Sequence, residues 1–194
     1  MPTILYIKPD DKRKRVIVGV EGDDNGVSTL DISASTYTSV GSPERGACIS
    51  ERDLHSMIFE DEAYRALKKA VSYLSASDKS RYELRAKLLS AGFSREACDL
   101  AIERCLERGY IDEARQIERL ATREANYKLK GKYYIKRKIA AKGYSPADVE
   151  RAIARLVESG EIDFSANFEA LAEKRGALDE ESRTQLKYKF GYRI

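Results

Sequence analysis

The segment "KLLSAGFSREACDLAIERCLERGYID", Lys87 to Asp112, returns as "KIAAKGYSPADVERAIARLVESGEID", Lys138 to Asp163. Over residues 80–113 against 131–164, eleven of thirty-four positions are identical with no gap, among them Tyr82/Tyr133, Lys87/Lys138, Gly92/Gly143, Ser94/Ser145, Ile102/Ile153 and Asp112/Asp163. A gapless internal repeat of this length restricts the chain to tandem copies of one local unit, each touching its sequence neighbours. The offset also reaches backwards, since Asp61 opens "DEAYRAL" as Asp112 opens "DEARQIERL" and Asp163 opens "DFSANFEAL". Units are therefore expected to start at 61, 112 and 163.

Each unit reads as three helices. Cys98, Ala101, Ile102, Cys105 and Leu106 form one apolar stripe at helical spacing, and Val149, Ala152, Ile153, Leu156 and Val157 repeat it. Ser94 and Ser145 stand where an N-cap hydroxyl belongs, with Pro146 at the first helical position. Gly92, Gly109, Gly143 and Gly160 mark helix ends. Ser80 with Glu83 predicts a capping box ahead of Leu84 and Leu88, whose counterparts are Ile135 and Ile139. Asp112 and Asp163 predict N-caps. The third unit carries Phe164, Phe168 and Leu171, then Ser182 and Gln185 as a further capping pair before Leu186, and it stops at Ile194 without room for a third helix.

Residues 1–60 follow another pattern. Val16, Val18 and Val20 alternate with other residues, "GDDNG" follows, and Val27 to Ile32 completes a β-hairpin to which Ile4–Ile7 adds a third strand. Ser33 to Gly46 predicts a loop with one short helix, and Ser50 with Asp53 a helix start. The expected fold is mainly α: tandem three-helix, helix-turn-helix-like repeats in an elongated curved array, with a small N-terminal β-hairpin extension. Its segments are 1–60, 61–111, 112–162 and a truncated 163–194.

Catalytic readings find little support. His55 is the sole histidine, and Cys98 and Cys105 fall on the apolar stripe, where a thiol behaves as a small hydrophobe. No glycine-rich loop is followed by the Lys-Ser/Thr pair of a phosphate loop. Neither an enzymatic activity, a cofactor nor a metal site is expected. The opening residues contain only a short apolar run, no window reaches membrane-span length, and three widely spaced cysteines fit a reducing compartment, so a cytoplasmic chain with no membrane partner is expected.

The feature that stands out is "REANYKLKGKYYIKRKIAAKG", Arg123 to Gly143. Eight cations (Arg123, Lys128, Lys130, Lys132, Lys136, Arg137, Lys138, Lys142) face Glu124 alone, a local charge of +7 in a chain of net +3. Tyr127, Tyr133 and Tyr134 are interleaved. Basic side chains meet phosphates or acidic protein, and tyrosine rings anchor or stack.

The run "SRYELRAKLLSAGFSREACDLAIERCLERGYIDEARQIERLATREANYKLKGKYYIKRKIAAKGYSPADVERAI" resembles the RecX family, bacterial regulators of the RecA recombinase. The likeness rests on the Glu-Leu of the middle helix, the Gly-Phe-Ser turn, "GYID" before the next unit and the second "G-Y-S". It covers about 61–175, and "ILYIKPDDKRKRVIVGVEGD" is similar to the extension of Gram-positive RecX proteins. The chain departs from the pattern in "DE" where Asp-Asp is usual and in its short third unit. The resemblance implies a bowed molecule lying in the groove of a RecA filament on DNA, inhibiting ATP hydrolysis and strand exchange in DNA repair. It implies that Arg123, Lys128, Lys130, Lys132, Lys136 and Arg137 face the filament or its DNA, with Tyr133 and Tyr134 among them. The alternative is direct single- or double-stranded DNA binding through the helix-turn-helix units; in either case a monomer suffices.

Overall fold

The protein is described as a computed structural model covering residues 1–22 and 26–192. Three antiparallel strands, β1 (Thr3–Asp10), β2 (Arg15–Glu21) and β3 (Val27–Ser33), lie in the order β1-β2-β3. Registers such as Ile7↔Val18 and Val18↔Leu30 put β2 in the centre. The alternating valines of β2 point one way, and Val16, Val18 and Val20 are buried with Ile4, Leu30, Ile32, Ile49 and Met57. Gly19 is required on the opposite face, because an added Cβ would come within 2.2 Å of Tyr6 Cε1. The Asp23–Asn25 part of the expected turn lies outside the described residues.

Helices follow: α1 (Ala34–Ser39), α2 (Glu51–Ala76), α3 (Arg81–Ser90), α4 (Arg95–Glu107), α5 (Glu113–Thr122), a π-helical turn (Arg123–Tyr127), α6 (Lys132–Ala140), α7 (Pro146–Glu158), α8 (Phe164–Arg175) and α9 (Glu180–Phe190). Mainly helical structure with a small amino-terminal sheet is the expected class. Contacts divide the chain into two compact units, Met1–Ala76 with Arg85–Arg108, and Ser77–Leu84 with Gly109–Ile194.

In the first unit α2 packs on α4 and on β3. Its inner side is small, Ala63, Ala66 and Ala70 beside Leu67, and the buried stripe of α4 is Ala97, Cys98, Ala101, Ile102 and Cys105. Helix α2 starts as expected, with Ser50 Oγ accepting from Asp53 N at 3.1 Å. It then runs through residue 61 without a break. Asp61 is therefore not the helix opener its alignment suggests. Buried in mid-helix, its carboxylate accepts from Asp31 N of β3 at 2.8 Å and from Arg65 Nε at 2.8 Å. Asp112 and Asp163 do cap, accepting from Arg115 N at 3.0 Å and from Ser165 N at 2.8 Å.

The second unit is built on Ile117, Ala121, Ala125, Ile135, Ile139, Tyr144, Val149, Ala152, Ile153, Leu156 and Ile162. The Tyr144 hydroxyl donates to Oε1 of buried Gln116 at 2.7 Å, and burial pushes its pKa up to about 12. Gly143 has φ +83, and a Cβ there would strike Tyr82. A smaller cluster joins Phe168, Leu171 and Phe190, with Tyr192 meeting Phe168 edge-on at 5.1 Å between centroids.

Several local expectations need correction. Leu106 and Val157 are partly exposed, at 37% and 45%, because eight residues place each roughly 80° around the helix from the first member of its stripe. Ser94 accepts from Ala97 N, but Ser145 makes no capping bond; α7 begins on Pro146, which has no amide hydrogen to satisfy. The cap of α9 is Asp179, accepting from Ser182 N at 2.8 Å, so the pair lies three residues ahead of Ser182 and Gln185.

Ile102 and Ile153 are both buried. Replacing either with Asp puts an unpaired charge into a packed core and should lower unfolding free energy by about 3 kcal/mol or more in urea titrations. A loss under about 1 kcal/mol at either position would show that the site is not a core position of the repeat.

Candidate docking surface

The basic stretch occupies the π turn, the loop after it and α6. The π turn widens the end of α5 and brings Glu124 and Ala125 inside. The Glu124 carboxylate is 1% exposed and receives Lys128 Nζ and Lys138 Nζ, each at 2.8 Å, with the Arg123 guanidinium at 3.8 Å. Burial pushes this carboxyl up, but the two lysine hydrogen bonds outweigh it and hold its pKa below the ordinary value; Lys138 is correspondingly raised by its bond to Glu124. The Glu124 carbonyl also accepts from Lys130 N at 2.9 Å, which closes the loop through Leu129, a residue at φ 51.

Helix α6 has Gly131 at its N-cap and no side-chain cap. Backbone from the end of α9 takes that role: Gly131 N donates to Phe190 O at 2.8 Å and Tyr133 N to Gly191 O at 3.0 Å. A Cβ on Gly131 would sit 2.3 Å from Gly191 O, so only glycine permits this approach. Ile135 and Ile139 turn into the core. Lys132 and Lys136, four residues apart, both reach Glu150 of α7, Lys132 at 2.7 Å, and these hydrogen bonds keep the Glu150 carboxyl below its ordinary pKa. Lys142 pairs with Glu83 at 3.1 Å.

Three carboxylates, Glu83, Glu124 and Glu150, thus stand among the eight cations, and the local charge is 8 − 3 = +5. Lys130 packs over the rings of Tyr134 and Phe190, 4.7 and 4.0 Å from their centroids. Among the described residues Arg137 is exposed and has no carboxylate partner; Tyr133, one turn before it on the same face, is 42% exposed. Arg123 and Tyr127 of the π turn are also exposed, Tyr127 at 82%. Glu150 and Glu83 escaped the sequence reading because they reach the lysines from elements distant in the chain.

Cys98 and Cys105 are buried, and burial pushes both thiols up. Among the described residues no group of three or more His, Cys, Asp or Glu is placed to hold a metal ion, and no helix is long and apolar enough to cross a membrane.

Residues 66–105 match the family model described as RecX, first three-helix domain. The curated regulatory protein RecX of Vibrio vulnificus (strain CMCP6) is 33% identical over 85 residues, covering 44% of this chain and 55% of that protein. The matched segment thus spans about half the length of that relative. The sequence likeness to RecX proteins is carried by residues 66–105 and by one 85-residue segment. A solved regulatory protein RecX superposes with a TM-score of 0.71 at 15% identity, covering 98% of this chain and 93% of that one. RecX from Lactobacillus salivarius gives 0.56 at 20% identity, covering 67% and 86%. At these identities the two structures speak for the RecX fold.

Glu124→Gln removes the charge that Lys128 and Lys138 share. Breaking a buried ion pair costs 3–5 kcal/mol when both partners are enclosed, and the part-exposed lysines reduce this to about 2 kcal/mol at neutral pH. Because the folded-state pKa of Glu124 is depressed, its stabilisation is present above the unfolded-state value and lost as pH falls through the folded one. The stability gap between wild type and Glu124→Gln, measured by urea unfolding, should therefore close as pH drops from neutral to about 3.

Proposed function

We propose that this RecX-type chain regulates a RecA-type recombinase by docking on its DNA filament through the basic surface of the second unit, damping ATP hydrolysis and strand exchange. The observation that carries the reading is the excess of about five positive charges with exposed tyrosines on a face fixed from three sides. Arg137 and Tyr133 are its contact residues; Arg123 and Lys130 flank them. Lys128, Lys132 and Lys136 contribute mainly field, being paired already. Tyr134, covered by Lys130 and Lys138, supports the surface from behind. Direct binding to bare DNA is the second reading, favoured only by the same charge.

Reversing Lys132 or Lys136 would set a second carboxylate against Glu150 and confuse folding with docking. Arg137→Glu, alone and with Tyr133→Ala, avoids this. Binding to recombinase-coated single-stranded DNA should weaken at least tenfold, about 1.4 kcal/mol, and weaken further with added salt. The wild-type protein should bind coated DNA more tightly than bare DNA. Unaltered arrest of ATP hydrolysis by the double variant at wild-type concentrations would remove α6 from the docking surface.

A further inference from the structure

We propose that the first unit carries a separate site for a phosphodiester group of a nucleic-acid strand, in a cleft of about 470 Å³ where the β1–β2 turn, the α1 start, α2 and α4 meet. The inner wall is a fixed charge network. Arg15, only 9% exposed, stacks its guanidinium 3.4 Å from the Tyr64 ring centroid and is held by Asp31 at 2.7 Å and Glu60 at 3.6 Å. Glu60 also takes Arg104 at 3.4 Å, so one carboxylate is shared between two guanidinium groups. The rim is cationic and unshared. Lys14 and Arg108 are exposed and, among the described residues, have no carboxylate partner; Arg13 has Asp10 at 3.6 Å. Five cations line or edge the cleft against Asp10, Asp31 and Glu60, a net of 5 − 3 = +2.

The turn that presents Lys14 is fixed. Lys14 has φ 52, and its carbonyl accepts from Ala34 N at 3.0 Å, tying it to the start of α1, where the Ser35 hydroxyl, 2.8 Å from Ser33 Oγ, lines the cleft. A base has nowhere to stack. Arg15 and Lys68 occupy the Tyr64 ring, and the one aliphatic lining side chain, Leu67, is 5% exposed. Cations and hydroxyls without an aromatic platform recognise the backbone phosphate and leave sequence unread. This inference concerns the first unit and needs no recombinase, so it stands or falls separately from the reading of the second.

The test measures binding of a labelled single-stranded oligonucleotide to the full chain, without recombinase, between about 50 and 200 mM salt. Lys14→Glu with Arg108→Glu changes two unpartnered side chains, and Lys14→Gln with Arg108→Gln is the milder pair; unchanged thermal midpoints establish folding. The reversal pair should bind at least tenfold more weakly, and the neutral pair should flatten the plot of log affinity against log salt by about 1.4, two contacts at about 0.7 each. Arg137→Glu, in the same assay, should leave that difference in place. Equal affinity and slope for wild type and both pairs would overturn the site. So would an effect confined to inorganic phosphate, or to polyglutamate, with oligonucleotide binding intact: the cleft would then serve a free anion or an acidic protein.

Discussion

One buried carboxylate organises the second unit. Taking Glu124 out of water costs several kcal/mol, and the cost is met only because Lys128 and Lys138 converge on it while its carbonyl fixes the following loop. The π turn is what brings this side chain inside, two residues past the regular end of α5. Loop, π turn and α6 are joined by the same few bonds, so the basic surface rests on a frame with little freedom. Preorganisation of this kind favours binding because the side chains need less ordering on contact.

The repeat shows which of these bonds belong to the architecture. By the offset that aligns Lys87 with Lys138, Glu124 corresponds to Tyr73, and in the first unit Lys87 lies 5.5 Å from the Tyr73 ring centroid. The same two helical positions thus meet as a cation–π pair in one copy and an ion pair in the other. Arg85 and Asp99 correspond to Lys136 and Glu150; both pairs form, Arg85 to Asp99 at 2.5 Å. A contact between middle and last helix that recurs in both copies is part of the unit's construction. A lysine or arginine at that position is expected whether or not anything docks nearby.

The elements most legible in the sequence were those set by local signals. The capping box of Ser80 and Glu83, the aspartate caps at 112 and 163, the left-handed glycines and the alternating valines of β2 depend on residues a few places apart. Asp61 was misleading because the same residue type serves a different partner: in mid-helix it takes an amide from β3, a contact between residues thirty apart in sequence. The basic stretch was legible as a charge excess but not as a surface. Its compensation by Glu150 and Glu83, and the bracing of Gly131 by the end of α9, depend on tertiary proximity that no spacing announces.

That distinction divides labour on the proposed docking face. Paired lysines still add to the field beyond a few ångströms, since three carboxylates do not cancel eight cations, and such a field mainly accelerates encounter with an acidic partner. Short-range contact falls to groups with free hydrogen-bonding capacity or exposed ring area, Arg137 and Tyr133 above all. An arginine suits this position better than a lysine, because its planar fork can grip a carboxylate or a phosphate through two bonds at once and is weakly hydrated beforehand. On the proposed docking, the lysines of this stretch would set how fast the surface finds its partner, and the arginine with its neighbouring tyrosine how long it stays.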